Sequence, residues 1–509
     1  MMIKVILLVI FFAVMVAVGI YSRKHAMSVD GFVLGGRSVG PWLTAFAYGT
    51  SYFSAVVFVG YAGQFGWKYG LASTWIGIGN AVIGSLMAWV VLGRRTKVMT
   101  QYLNSKTMPD FFGSRYESKP LKIAASAIVF VFLVPYTASI YNGLSRLFEM
   151  AFHIPYAWCV IGMAVFTGIY VILGGYMATA INDFIQGIIM LAGIIVVIAA
   201  VLNGQGGFLE AVGRMAEIPS DVEITLGQPG AFTSFFGPDP GNLLGVVILT
   251  SLGTWGLPQM IGKFYAIKDE KSINTGTVIS TVFAIVVSGG CYFLGGFARL
   301  FDAPAIYDEA GAVVYDSIIP HMLSALPDIL IGIVVVLVLS ASMSTLASLV
   351  LTSSSTLTLD FLKDNLLKEM SEKRQVRTMQ GLGIFFIAVS VFIALDPPTF
   401  IAQLMGISWG ALAGAFLAPF LYGLYWKGTT RAGVWASFIV GVGITVVNMF
   451  MPFIESSINA GAAAMVAGLI VVPVVSLITP KLSREKTDAI FSCYEEKVTI
   501  TKKRSLEQN

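Results

Sequence analysis

Uncharged oxygen atoms line one face of an apolar segment near residue 344. In VLVLSASMSTLASLVLTSSST, Ala341, Ser344 and Thr345 are spaced at i, i+3 and i+4, and Ser348 continues that face one turn further on. A backbone carbonyl and two hydroxyls pointing the same way suit a monovalent cation that must bind and leave. Serine and threonine in helices also bond back to the i−4 carbonyl or act as small packing residues, so the spacing alone leaves both interpretations open.

Two other apolar segments are interrupted. WLTAFAYGTSYFSAVVFVGYAG has a polar island at 49–54, and SLGTWGLPQMIG has two glycines and a proline within 253–258. Backbone that leaves the helix inside a bilayer must line a cavity, because every polar group there needs a partner. Paired breaks are typical of transporters built from inverted repeats, with the site between the repeats. The alternative is that these residues only permit close packing or kinks.

A lone carboxylate, Asp183, is predicted at the start of another membrane segment, in ATAINDFIQGIIML. A carboxylate at the edge of a span is costly, which makes it a candidate functional residue. Aspartate is also a preferred helix N-cap, and that interpretation stays open.

The elements that hold these residues are predicted to be membrane helices. Of the 509 residues, 56% are hydrophobic and 12% are charged, and soluble proteins typically have about twice that charged fraction. Neither a phosphate-binding G-x-x-x-x-G-K-[ST] pattern nor an aspartyl-phosphate motif occurs, which argues against a primary pump. His25, His153 and His321 all fall in predicted loops, so we expect no enzyme activity.

Apolar runs predict an all-α polytopic membrane protein with about 13 transmembrane helices. The broken second and seventh spans are five spans apart, which predicts a five-plus-five inverted repeat with broken helices, an amino-acid-transporter-like core. The predicted spans are 3–21, 41–66, 70–93, 123–147, 155–174, 182–203, 241–262, 273–298, 328–353, 378–395, 400–424, 432–452 and 459–479.

The distribution of lysines and arginines predicts on which side of the membrane each terminus lies. All but five of the 32 lysines and arginines fall on the side of the C-terminus, which predicts a multi-pass cell-membrane protein with the N-terminus outside and the C-terminus cytoplasmic. The predicted divisions are an outer N-terminus, first span and cytoplasmic loop (1–40), a first repeat (41–203), an extracellular loop (204–240), a second repeat (241–424) that includes a cytoplasmic amphipathic segment (359–377), two final spans (425–479) and a cytoplasmic tail (480–509).

Several motifs in order resemble the sodium:solute symporter family, and among its members the sodium/proline symporter branch looks closest. They are GGRSVGPWLTA (35–45), PYTASIYNGLSRLFE (135–149), NDFIQG (182–187), SMSTLAS (342–348) and LYWKGTTRAG (424–433). The resemblance implies a co-transported sodium ion held by the carbonyls of Thr50, Phe53 and Ala341 and the hydroxyls of Ser344 and Thr345.

The resemblance also implies a second cation or release site in some members, here Asp183 with Ser344, position 347 and Ser348. Position 347 is alanine, so we expect one sodium ion per solute. Where the proline symporters carry Asp and Trp around the second-span break, this chain has Tyr52 and Val56, which leaves the solute open.

A small carboxylate-bearing solute is favoured, since a half-helix N-terminus suits a carboxylate. Proline, another amino acid, a monocarboxylate and pantothenate are the candidates. The side chains expected to face it are Ser51, Tyr52, Ser54, Tyr136, Trp255 and Gln259.

The sequence thus predicts a secondary active symporter in a lipid bilayer, working by alternating access, with a small-molecule substrate, no nucleic acid and no obligatory protein partner. One alternative is a proton-coupled symporter or uniporter in which Asp183 takes the proton. Another is a membrane sensor or channel that does not pump.

Overall fold

The computed structural model describes residues 2–22, 26–364, 366–367 and 369–494. These residues form helices and connecting loops, and their extended backbone pairs only in isolated bridges such as Val39 with Ile267. The predicted all-α class is confirmed. The predicted tail is described only as far as residue 494, and His25 also lies outside the described residues.

Within the described part of the chain, eleven helices are long and apolar enough to cross a membrane. They are Met2–Ser22, Val56–Tyr102, Lys119–Phe152, Gly174–Gly204, Pro240–Ala266, Glu270–Gly295, Asp328–Lys363, Glu372–Leu395, Ile401–Tyr425, Arg431–Phe450 and Ser457–Ile478. The predicted second and fifth spans add the shorter pieces Pro41–Tyr52 and Tyr156–Ile169. All thirteen predicted segments are helical, but their number depends on how these pieces are counted, so thirteen spans stay a prediction.

The ninth span, Asp328–Lys363, is one of the most buried helices of the bundle. In its most apolar stretch 78% of the residues are buried, against 22% in the first span. It packs on the fourth span, on the fifth and sixth spans and on the first half of the second. Its serines and threonines therefore face other helices.

The sixth span begins earlier than the sequence predicted. One helical run, Tyr156–Gly204, contains the fifth and sixth spans, with a kink at Gly175, where φ is 58° and ψ is −158°. A side chain would be strained at that φ. Asp183 lies about two turns beyond this kink, inside the helix and fully buried. The interpretation of Asp183 as an N-cap is therefore wrong.

The segment 359–377 is divided between two spans. Its first residues continue the ninth span to Lys363, and its last residues open the tenth span at Glu372. Asp360 is buried and lies 3.3 Å from the ammonium of Lys122 at the start of the fourth span. This buried pair holds the first part of the segment inside the bundle. The described residues of 359–377 therefore form no separate surface helix. We call the end of the bundle around Lys122 the basic end.

The loops 204–240 and 299–327 cover the opposite end of the bundle, which we call the loop end. Arg299 donates to both carboxylate oxygens of Asp221, at 2.9 and 2.7 Å, and stacks on the rings of Trp67 and Phe232. This one guanidinium joins both loops to the end of the second span.

Candidate functional site

The helix that opens the second span, Pro41–Tyr52, ends in the middle of the bundle. Phe53 has extended backbone, with φ −108° and ψ 103°. The helical path resumes at Val56, whose backbone amide donates to the Ser54 hydroxyl over 3.2 Å. The break thus begins in the polar island seen in the sequence. Among the described residues no hydrogen bond joins Phe53 to the ninth span, so its place among the ion ligands stays a prediction.

Oxygen atoms of the second and ninth spans meet beside this break. The Thr345 hydroxyl lies 3.1 Å from the Thr50 carbonyl and 3.1 Å from the Ala341 carbonyl. The Ser344 hydroxyl donates to the Thr50 hydroxyl over 2.7 Å. All four residues are buried. We call Thr50, Ala341, Ser344 and Thr345 the oxygen cluster.

The oxygen cluster has more acceptors than donors. Thr345 has one hydroxyl proton between two carbonyls, and Thr50 donates its own proton to the Phe46 carbonyl over 2.8 Å. The Thr50 carbonyl also belongs to the last turn of its helix, where carbonyls lack an i+4 donor. Lone pairs in excess of protons on neutral groups suit a monovalent cation. The Thr345 hydroxyl bonds back to the Ala341 carbonyl, as a serine or threonine that only packs in a helix would do. Its contact with the Thr50 carbonyl of another span is not explained in that way.

A second polar group lies one turn further along the ninth span. The Ser348 hydroxyl is 2.8 Å from the Ser51 hydroxyl and accepts a hydrogen bond from Lys263 Nζ over 2.9 Å. Lys263 Nζ is also 3.8 Å from Asp183 Oδ2. Asp183 is 0% exposed and Lys263 is 2% exposed. We call Ser51, Asp183, Lys263 and Ser348 the charged cluster.

Sequence reasoning missed Lys263 because the predicted seventh span stopped at residue 262. In the structure the second half of that span is the helix Pro258–Ala266, and Lys263 lies inside it. Gln259 and Lys263 are at i and i+4 and share one face. A lysine four residues after a polar residue at a predicted break was the signal available in the sequence.

The break in the seventh span lies at the predicted place. The helix Pro240–Leu252 ends in a tight turn at Gly253–Trp255, Leu257 is extended with φ −86° and ψ 120°, and a new helix begins at Pro258. Proline suits the first position of a helix because a backbone N–H there would have no partner within the helix, so nothing is lost when it is absent. Both predicted breaks are therefore present.

Two of the predicted solute contacts are already bonded to backbone near this break. The Tyr52 hydroxyl donates to the Thr250 carbonyl over 2.5 Å, and the Trp255 indole N–H donates to the Ile83 carbonyl over 3.0 Å. Their polar atoms are therefore already hydrogen-bonded, which favours the interpretation that both rings form an apolar wall of the solute site and do not bond to the solute. Ser51 is similarly engaged with Ser348 in the charged cluster.

Other buried polar groups around the breaks have no partner. Among the described residues the Tyr136 hydroxyl, both polar atoms of the Gln259 amide and the Trp409 indole nitrogen make no hydrogen bond. The Tyr136 hydroxyl lies beside Ser54 and Trp409, and the Tyr136 and Trp409 rings meet edge to face at 5.8 Å. Buried polar atoms are nearly always paired, so Tyr136 with Trp409, and Gln259 beside Lys263, are candidate contacts for a polar ligand.

Trp409 of the eleventh span was not predicted as a site residue. Its ring packs against Gly253 so closely that a Cβ at Gly253 would lie 2.6 Å from it. It also lies 6.0 Å from the Tyr52 ring. A tryptophan among small residues in GISWGALAG was the only sequence signal.

A cavity of about 50 Å³ extends from the charged cluster toward the basic end. Gln259, Lys263 and Ser348 line one part of it, and Lys106 and Thr107 line another. This volume holds one or a few water molecules. The charged cluster is thus next to a small cavity at the basic end.

The chain is similar to known proteins over most of its length. The model of the sodium:solute symporter family matches residues 32–441. A sodium/proline symporter of Staphylococcus aureus (strain JH9) is 30% identical over 498 residues, covering 94% of this chain and 93% of that protein.

Solved structures show the same fold at low identity. The substrate-bound, outward-open state of a Na⁺-coupled sialic acid symporter has a TM-score of 0.76 at 13% identity, covering 95% of this chain and 99% of that one. A nucleobase-cation-symport-1 family transporter, closed with bromovinylhydantoin bound, has a TM-score of 0.52 at 14% identity, covering 91% and 98%. Since the family match and the relative both span most of its length, the chain belongs to the sodium:solute symporter family.

Proposed function

We propose that this chain couples the entry of sodium to the import of a small carboxylate-bearing solute by alternating access. The observation that carries the proposal is the Thr345 hydroxyl, which lies 3.1 Å from both the Thr50 and the Ala341 carbonyls beside a broken helix. These oxygens, with the Ser344 hydroxyl, replace part of the water shell of a sodium ion.

Sodium in the oxygen cluster joins the second span to the ninth. In the proposed division of the chain these spans belong to different repeats, 41–203 and 241–424. An ion between them stabilises one relative position of the two repeats, the outward-open one. Rocking of one repeat against the other then exposes ion and solute to the other side.

The solute is proposed to lie where buried polar atoms lack partners, between the second-span and seventh-span breaks. The Tyr136 hydroxyl and the Gln259 amide supply hydrogen bonds there, and Ser54 lies at the N-terminus of the second half-helix. A carboxylate is favoured at a helix N-terminus. The sodium/proline symporter among the relatives makes proline one candidate. The Tyr52 and Trp409 rings lie 6.0 Å apart beside the proposed position.

The basic end is proposed to face the cytoplasm, because the lysines and arginines concentrate there. Sodium then enters from the loop end. One charge crossing a potential of 100 mV gains about 2.3 kcal/mol, which corresponds to roughly 50-fold solute accumulation.

The test is uptake into proteoliposomes that contain the purified chain. Labelled proline, other amino acids, monocarboxylates, pantothenate and a neutral sugar are offered with an inward sodium gradient, with an equal potassium gradient and with a proton gradient. We expect uphill uptake of one carboxylate-bearing solute with sodium only. Uptake that follows pH and ignores sodium would favour the proton-coupled alternative, and a lack of accumulation under every gradient would favour a sensor or channel.

A further inference from the structure

The charged cluster contains a lysine side chain, which, unlike a free ion, cannot leave the protein. Lys263 Nζ donates to the Ser348 hydroxyl at 2.9 Å and lies 3.8 Å from Asp183 Oδ2. The Ser51 hydroxyl lies 2.8 Å from Ser348 on the other side. A carboxylate and two hydroxyls gathered in a buried place form a set of oxygen ligands suited to a cation, and here an ammonium group lies against them.

We propose that the Lys263 ammonium is a tethered cation that fills a second ion position between Asp183 and Ser348, so that the chain binds one mobile sodium ion rather than two. The proposal rests on the proposed function in one respect: the mobile ion is the one assigned to the oxygen cluster. Lys263 is then a positioning residue that sets the number of ions carried per solute.

Charge balance favours this assignment. Asp183 is 0% exposed, and Lys263 Nζ, 3.8 Å from its Oδ2, is the cation that pairs with it among the described residues. A buried carboxylate without a compensating cation is strongly unfavourable. A sodium ion in the same place would meet the ammonium as a second positive charge at close range, and like charges in a buried pocket repel.

Lys263 also connects three different spans. Lys263 lies in the second half-helix of the seventh span, Asp183 in the sixth span and Ser348 in the ninth. Through Ser348 the ammonium reaches Ser51, next to the Thr50 carbonyl of the oxygen cluster. Lys263 is therefore two hydrogen bonds from Ser51 in the last turn before the second-span break, and it also lines the cavity at the basic end.

The experiment counts sodium ions. Equilibrium binding of radioactive sodium to the purified full chain is measured for the wild type, for Lys263→Met and for Lys263→Arg. We expect one ion per chain for the wild type and for Lys263→Arg, which keeps the charge. Lys263→Met leaves Asp183, Ser51 and Ser348 without their cation, and we expect it to bind one ion more than the wild type. The double variant Lys263→Met with Asp183→Asn should lose that extra ion.

Lys427→Met is the matched control, since it also removes a lysine paired with an aspartate, Asp488, but at the surface. It should leave the count unchanged. An equal count for Lys263→Met and the wild type overturns the proposal, as does a wild type that binds two ions. If Lys263→Met does not fold, Lys263→Gln, which keeps a donor toward Ser348, is counted in its place. A wild type that binds no sodium contradicts the proposed function, while the difference of one ion between variant and wild type still tests Lys263.

Discussion

On the ninth span, Ser344 and Thr345 belong to the oxygen cluster, and Ser348, one turn further on, belongs to the charged cluster. The oxygen cluster gathers neutral carbonyls and hydroxyls around too few protons. The charged cluster gathers a carboxylate and hydroxyls around an ammonium that the chain supplies itself. Both use hydroxyls of the second and ninth spans, so hydroxyl positions do not separate them. The difference lies in two further spans, the sixth and the seventh, which bring Asp183 and Lys263 to only one of the clusters.

The largest effect is expected from breaking the buried pair. Asp183→Leu leaves the Lys263 charge buried and unpaired, which costs roughly 3 to 5 kcal/mol of stability. We expect a large fall in folded yield and in melting temperature in detergent. The double variant Asp183→Leu with Lys263→Leu removes both charges and should recover most of the loss. A double variant as unstable as Asp183→Leu would show that pairing is not what the two residues contribute.

The second effect concerns the oxygen cluster. Thr345→Ala removes the hydroxyl that touches both the Thr50 and Ala341 carbonyls. The loss of such a ligand corresponds to about 1 to 3 kcal/mol, or roughly a 5- to 150-fold rise in the sodium concentration for half-maximal transport. Ser344→Ala should act in the same direction, while Thr345→Ser keeps the hydroxyl and serves as the control. Wild-type sodium dependence in both alanine variants would contradict the assignment.

A smaller effect is expected at the solute. Tyr136→Phe removes an unpartnered hydroxyl and Gln259→Ala an unpartnered amide, so each should weaken apparent solute affinity about tenfold, the equivalent of roughly 1.4 kcal/mol. Sodium binding measured without solute should change much less, because its proposed ligands lie elsewhere on the break. If both variants transport the identified solute with wild-type affinity, the solute lies in another place.

The smallest effect is expected for an ion pair at the loop end. Asp221→Ala breaks its pair with Arg299, but the Asp221 side chain is 61% exposed, so the melting temperature should shift by the equivalent of about 0.5 kcal/mol or less. Arg299→Ala should cost more, because it also removes the stacking on Trp67 and Phe232. An Asp221→Ala variant as unstable as Asp183→Leu would mean that burial does not explain why the two ion pairs differ in their contribution to stability.

Periodicity and composition were sufficient for the helices and for both breaks. Apolar runs locate the spans because each must match the thickness of a bilayer. Glycine and proline mark the seventh-span break at 253–258 because they disfavour helix locally. The i, i+3, i+4 spacing correctly placed Ala341, Ser344 and Thr345 on one face, since that rule depends only on the helix itself.

The properties predictable from the sequence were thus those that each helix carries alone: its length, its interruptions and the residues that share a face. Which faces meet depends instead on how the helices pack against one another. This packing put Lys263 beside Asp183 and Ser348, tied Tyr52 and Trp255 to backbone carbonyls and brought Trp409 against Gly253. Each of these contacts joins residues from different spans, and their geometry depends on how the helices pack, which the periodicity of a single helix does not encode.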